Sequence, residues 1–348
     1  MMKRLSLFFV MLVTAAGIIL HADDKGSKRS ARVFGVAFYN LENLFDTINN
    51  NGKYDLEFSP QGSRRWDADK YYKKIDNLAR TIAAMKSPTT PMGPAIIGVS
   101  EIENRSVMED LVHAEPLRPW MLQVVHHDSP DRRGVDVGLL YNPRMFRVID
   151  VTNTPLIIPE NPRFRTRDQM CVTGILGGDT VSIIVNHWPS RLGGQQQSSY
   201  LREAAAALSR HIADSIWAIR PGQPVIVMGD LNDDPQDISC AKVLGGAKQP
   251  DNVGPDGFYN PFWKMLDDGI GTLAYKGSWN LFDQIVISGG LLPQNAKPGH
   301  LRYWRCKVNN FDFLRNEDGT PHRTYSAGRF LNGYSDHFPT EVFLIQEK

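Results

Sequence analysis

Cysteine is scarce in this chain. There are three in 348 residues, Cys171, Cys240 and Cys306, far apart and never as Cys-x-x-Cys. That excludes a disulfide-built scaffold and a thiolate zinc site, although two of them could pair in an exported protein. Net charge is also nearly absent. A formal value of +1 gives no strongly basic field, so any polyanion must be held by local clusters. No glycine-rich phosphate loop follows the first strand-like run, and no internal repeat or low-complexity block appears. Beyond the amino-terminal segment, no apolar run approaches membrane-spanning length. What remains is 42% hydrophobic and 22% charged, an ordinary globular composition. Its length suits one large layered fold or two average domains.

The first residues differ from the rest. Lys3 and Arg4 precede an apolar run, Leu5 to Leu20, and the small residue Ala22 comes before acids. Residues 1–22 read as a secretory signal peptide, with a single membrane anchor as the other reading, since the run is long for a leader and short for a span. Removing the leader takes the charge from +1 to −1 by loss of Lys3 and Arg4. The expectation is an exported protein, periplasmic or extracellular, monomeric, without membrane insertion after cleavage, and with one domain over 33–347.

Short apolar runs punctuate the chain: VFGVAFYN, AIIGVSE, VDVGLLY, VSIIVNH, PVIVMGD, LFDQIVIS and TEVFLI. Their length and β-branched content predict buried strands. Tyr71, Ile75, Leu78, Ile82 and Met85 recur at helical spacing, ended by Ser87-Pro88. Ser106 and Glu109 suggest a capping box opening a short helix that stops before Pro116. A third helix is expected from about Ser199 to Arg220, with Leu201, Ala205, Leu208, Ile212 and Ile219 on one face. A doubly wound parallel sheet is conceivable, but irregular spacings and hairpin-sized links favour mixed sheets packed face to face with helices outside. Residues 46–66 form a long loop. Its segment TINNNGKYDLEF is a poor calcium loop, because Thr47 and Phe58 stand where an Asp and a bidentate Glu belong.

Polar residues collect at the ends of these runs. Asn40, Glu101, Asn186 with His187, and Asp230 with Asn232 close or follow four of them. Asp283 interrupts another, and Asp336 with His337 precedes the last. Taken singly, Asp230 and Asn232 are turn residues, and His187 is a packed core histidine. Asp283 is harder to dismiss, because Leu281, Ile285 and Ile287 share its strand face and a carboxylate there needs a donor. Strand ends converge on one rim, where ligands bind in α/β folds. Asn40, Glu101, Asp230, Asn232 and Asp336 form an oxygen-rich set suited to Mg²⁺ or Mn²⁺. His187 and His337 remain free for proton transfer. Phosphate-ester hydrolysis uses this combination.

At these residues the chain resembles the endonuclease/exonuclease/phosphatase superfamily. The anchors run in order through FYNLENLF, GVSEIEN, RRGVDVGLLYNP, VNHWPSR, MGDLNDDP, LFDQIVIS and YSDHFP, from about Val33 to Ile345. NHWPSRLGG and RRGVDVGLLYNP look most like exported bacterial nuclease-like members. The resemblance implies a four-layered α/β sandwich with two central mixed β-sheets flanked by helices. It implies Asn40, Glu101 and Asp336 as metal ligands, Ser100 replacing the Gln that usually precedes the Glu. It further implies that Asp230 and Asn232 orient water and phosphate, that Asp283 holds His337 as a general base, and that His187 is the acid.

Arg133 and Arg191 are candidate phosphate binders. Asp136 could pair with one of them or with His187. Arg163, Arg165 and Arg167 alternate at strand spacing, either as a solvated edge or as a polyanion groove. No exposed aromatic hairpin is identifiable in the sequence. The expected function is an exported metal-dependent phosphodiesterase, an endonuclease acting on nucleic acid. The alternative is a phosphatase or phospholipid-headgroup phosphodiesterase on the same core. A binding module without catalysis is disfavoured by the intact acids and histidines. His187→Ala and His337→Ala are expected to fold normally and lose most turnover.

Overall fold

The computed structural model describes residues 18–22, 28–48 and 54–347. Most of the expected leader, and part of the loop once compared with a calcium site, lie outside the described residues. The first large sheet holds β1 (Ile18–Ala22), β2 (Lys28–Leu44), β3 (Ile96–Ile102), β4 (Gln123–His126), β5 (Asp136–Tyr141), β15 (Arg302–Val308) and β18 (Thr340–Glu347). Its order is β15-β18-β2-β3-β5-β4, with β1 against the start of β2. The second holds β6 (Phe146–Thr154), β7 (Gln169–Leu176), β8 (Asp179–His187), β9 (Val225–Asp230), β10 (Gly246–Ala247), β11 (Phe258–Tyr259) and β14 (Asp283–Ser288), in the order β10-β11-β14-β9-β8-β7-β6. Two hairpins stand apart: β12 (Leu273–Tyr275) with β13 (Ser278–Asn280), and β16 (Tyr325–Ser326) with β17 (Arg329–Phe330). Both large sheets are mixed, because β2 and β3 run parallel, as do β8 and β9, among antiparallel neighbours.

Alternation along the strands builds the layers. In β2, Phe34, Val36 and Phe38 face the second sheet and pack with Val172, Ile183, Val185, Met228 and Ile285. Ala37 and Tyr39 face outward onto Tyr71, Ile75 and Leu78 of α1 (Ala68–Ala84) and Val107 and Leu111 of α2 (Arg105–His113). The outer face of the second sheet receives Ala205, Ala206, Ala213 and Trp217 of α3 (Gln195–Ile219). The result is helix, sheet, sheet, helix, the four-layered sandwich. The sheets approach so closely at Gly98 that a Cβ there would lie 2.4 Å from Met228 Sδ.

Local details correct several expectations. The cap of α2 is Asn104, whose Oδ1 accepts from Val107 N at 3.1 Å. The helix therefore starts before Ser106, and Glu109 pairs with Arg105 at 2.8 Å instead. α3 begins at Gln195, earlier than expected, and Ile219 at its end is 79% exposed. Residues 163–167 form no strand, and Arg167 is buried while Arg163 and Arg165 are exposed. Phe58 belongs to the core, stacked on Phe45 with centroids 4.6 Å apart. All three cysteines are free. Among the described residues no helix is long and apolar enough to cross a membrane.

One buried acid makes the fold pH-sensitive. Glu341 of β18 has no exposed surface, and its cationic neighbour is Lys307, with Nζ 3.2 Å from Oε2. Burial pushes this carboxyl up to about 7, with Lys307 opposing. The unfolded chain releases that proton near 4.5. Its stabilising contribution is therefore complete below about 4.5 and fades as pH rises through about 7. Glu341→Gln removes this loss. The variant melts with the wild type at pH 4, and at pH 8 it is more stable by on the order of 3 kcal/mol. Matching thermal melts at pH 8 would show that the buried charge costs nothing.

Candidate active site

The carboxyl ends of the central strands meet at one rim. In the second sheet, register places His187 of β8 beside Asp230 of β9, and Asp230 beside Asp283 of β14, so three polar side chains form one row. The first sheet supplies Asn40, where β2 leaves regular pairing, and Glu101, where β3 bulges. Glu101 has φ 59°, and Glu42 and Asn43 after Asn40 have φ 47° and 53°. Such left-handed backbone in side-chain-bearing residues is uncommon and costs about 1–3 kcal/mol each. Here it turns carboxylates toward the rim that straight strands would bury elsewhere. Asp336 and His337 come from the segment leading into β18.

These groups are in mutual reach. Asn40 Nδ2 donates to Asp230 Oδ2 at 2.9 Å, and Asn40 Oδ1 accepts from Glu42 N at 2.9 Å. The Asn40 amide thus uses both ends within the protein and holds Asp230. His187 Nε2 lies 3.8 Å from Glu101 Oε1 and 3.6 Å from Asp230 Oδ2. His337 Nδ1 is 2.7 Å from Asp283 Oδ2. On its other side, His337 Nε2 lies 3.9 Å from Asp230 Oδ2 and 3.8 Å from Asp336 Oδ1. Asn232 sits with φ 52°; its N donates to Asp230 Oδ1 at 3.0 Å and its Nδ2 to the Trp188 carbonyl at 3.0 Å. Arg133 Nη1 donates to Glu101 Oε1 at 3.1 Å.

Arg191 is placed differently. Its guanidinium meets Asp233, Asp234 and Asp237, its Nε donates to the Asn232 carbonyl at 2.9 Å, and it lies over the Phe282 ring. It fixes the loop after β9 and has its charge already matched by three carboxylates. Asp136 pairs neither with an arginine nor with His187. It accepts from Ser129, and its Oδ2 is 3.0 Å from His126 Nε2.

Environment separates the two imidazoles. Burial lowers His187 well below 6.5, and the nearby Arg167 adds to this against Glu101. Burial would lower His337 too, but Asp283, Asp230 and Asp336 outweigh it and hold the ring well above 6.5. The two rings are thus pushed in opposite directions. Burial raises Asp230 to about 6, with Asp283 and Glu101 adding to the rise. Glu101 goes the other way, because Arg133 and His187 overcome its burial.

Several participants carry no readable sequence signal. Asp131 and Arg167, both buried, pair at 3.0 Å. Arg167 donates to the His187 carbonyl at 3.1 Å and the Trp188 carbonyl at 2.7 Å, while Asp131 accepts from Arg133 N at 2.8 Å. This strut ties the Arg133 loop to the strand end bearing His187. Glu42, Lys74, Arg323 and Thr324 surround Asp336 from behind, and Arg323 Nη2 binds Asp336 Oδ2 at 2.7 Å. The β12–β13 hairpin is an aromatic one after all. Tyr275 is 64% and Trp279 40% exposed, and Trp279 stacks on Phe338. Its three-residue strands are too short to show a two-residue period.

A sequence profile of the Endonuclease/Exonuclease/phosphatase family matches residues 35–346. The chain belongs to that family. No curated protein matches it. Solved structures share the family fold. D. rerio TDP2, crystallised with single-strand DNA product, superposes with TM-score 0.53 at 13% identity, covering 90% of this chain and 98% of that one. A Bacteroides thetaiotaomicron endonuclease/exonuclease/phosphatase family protein gives 0.54 at 15%, covering 91% and 98%. A truncated Caenorhabditis elegans TDP2 gives 0.53 at 16%, covering 90% and 97%. Family members and this chain share two mixed sheets and a phosphoester-hydrolase framework, and its acidic and histidine cluster is able to hold a metal ion.

Proposed function

We propose that this protein is an exported, metal-dependent phosphodiesterase that cleaves nucleic acid as an endonuclease, matured by removal of residues 1–22. One observation carries the reading. Two buried imidazoles, His187 and His337, face the same carboxylate oxygen, Asp230 Oδ2, at 3.6 and 3.9 Å.

The residues fit a divalent ion. Burial first, then Asp283 and Glu101, raise Asp230 to about 6, and its carboxylate lies with Asp283 and His337 in a group of ligand atoms close enough to share an ion. Such a cluster of buried oxygens is relieved by a hard cation. Glu101 and Asp336 would hold it, with Asn40 steadying Asp230 beside them. Bound there, Mg²⁺ or Mn²⁺ would neutralise charge on the phosphate and leaving oxygen. The chain's own groups do the rest. Neutral His187 takes a proton from water at Nε2. Charged His337, held by Asp283, gives one to the leaving oxygen. The protonation states thus support the reverse of the roles that the family resemblance implies. Asn232 and Asp230 orient the phosphate, and Arg133 supplies a cation beside Glu101.

The test is purified mature protein with Mg²⁺ against plasmid DNA, RNA, sphingomyelin and an inositol polyphosphate. Nicked plasmid is expected, abolished by chelation and restored by Mg²⁺ or Mn²⁺. Phosphate or phosphocholine release without nicking would replace the endonuclease with the phosphatase or headgroup alternative. The rate profile is a bell. Its acid limb falls below pH 6.5, where His187 gains a proton, and its alkaline limb lies above 6.5, where His337 loses one. A rate that climbs steadily from pH 5 to 9 would remove His337 as the proton donor.

A further inference from the structure

Arg132 and Arg133 are adjacent but do different things. Arg133 turns inward to Glu101, whereas Arg132 is exposed and its Nη2 donates to the Arg163 carbonyl at 3.2 Å. That bond joins the loop before β5 to the loop before β7, which carries exposed Arg163 and Arg165. The Arg165 guanidinium is held by the Pro162 and Phe164 carbonyls at 2.8 and 2.9 Å. Among the described residues, Arg132, Arg163 and Arg165 form no ion pair. Asp131, next to Arg132, is taken by Arg167, and Asp128 and Asp168 face His126 and His127. Other exposed basic residues, such as Arg80, Arg144 and Arg147, also form no ion pair among the described residues, so it is position and not pairing that marks these three. They sit on two loops joined to each other, one of which also carries Arg133 at Glu101. The cluster is also rigidly placed. The Asp131–Arg167 strut fixes the base of the Arg132 loop to the His187 strand end, and Arg167 leaves the same loop as Arg163 and Arg165.

We infer that Arg132, Arg163 and Arg165 form a track for the flanking phosphates of a polynucleotide whose scissile phosphate lies at Glu101 and His187. The proposal rests on the phosphodiesterase reading and narrows it, because a small phosphate ester would not reach the track. Exposed guanidiniums on hydrogen-bonded loops suit phosphates, whose oxygens they can fork. Contacts of this kind release counterions, so they set the salt dependence of binding without reading sequence.

Two measurements separate the outcomes. In the first, equilibrium binding of a fluorescein-labelled single-stranded 20-mer to wild type and to the R132Q/R163Q/R165Q variant is followed by anisotropy from low to moderate NaCl. The log–log salt slope of the variant is expected to be shallower by about two, from about 0.7 per phosphate contact. Equal slopes and affinities in the two proteins would overturn the track, as would a variant that loses binding to phosphatidylserine vesicles and not to DNA. In the second, kcat/KM is measured on the same oligonucleotide and on bis(p-nitrophenyl) phosphate. The ratio of the two is expected to fall at least about tenfold in the variant. An unchanged ratio overturns the track. A wild type that hydrolyses neither substrate overturns the phosphodiesterase reading, while the binding slopes still decide the track.

Discussion

His337→Gln lowers kcat by about two to four orders of magnitude and destabilises the fold less than His337→Ala does. The glutamine amide keeps a donor toward Asp283, which is fully buried and otherwise would face no partner at Oδ2. It carries no titratable proton, so proton transfer to the leaving oxygen ends and the alkaline limb of the pH profile goes with it. His337→Ala is a poorer experiment than the sequence suggested. It strands the Asp283 carboxylate, and breaking one half of a buried ion pair costs about 3–5 kcal/mol. Loss of activity in that variant would mix chemistry with unfolding. A His337→Gln protein retaining more than a tenth of wild-type kcat would remove His337 from the proton-transfer step.

The second large effect is on stability. Lys74→Met in α1 destabilises the protein by about 3–5 kcal/mol, read as a lower denaturant midpoint. The Lys74 ammonium has no exposure and donates to Thr324 Oγ1 at 2.6 Å and the Tyr334 carbonyl at 3.2 Å, with Glu42 Oε2 at 3.9 Å. Methionine fills the space and satisfies none of these groups. Burial already raises Glu42, and Asp336 raises it further, with Lys74 opposing both. Removing the cation leaves Arg323, 3.6 Å from Glu42, as the remaining counter-charge. Because Tyr334, held by Lys74, lies two residues before Asp336, activity measured well below the midpoint falls as well. A wild-type denaturation curve would mean that Lys74 is held there without contributing.

What the sequence disclosed and what it hid follow from one difference. A strand buried on both faces has few places for a charge, so Glu101, His187, Asp230 and Asp283 stand out against the apolar runs they end or interrupt. Seven such runs pointed to mixed sheets packed face to face, and the family resemblance supplied the four-layered, two-sheet form. Residues whose burial arises only on assembly leave no such mark. Lys74 and Asn77 occupy ordinary helix positions until the 322–334 segment covers them. Arg167 looks like its neighbours Arg163 and Arg165 until the β8 end folds over it. Asn104 outcompetes Ser106 as a cap because tertiary contact with Asp46 orients it, Nδ2 donating at 3.0 Å. Arg191 read as a free cation since its three acids sit more than forty residues further on.

The pairing of β2 with β18 has a temporal corollary. Ser335 Oγ reaches the Asn40 carbonyl across 295 positions, and Asn40 reaches Asp230 across 190. Contacts that distant along a chain close late, after local helices and hairpins have formed. During renaturation, circular dichroism recovers before turnover does, and catalysis becomes the clock that strikes when the last seam is sewn.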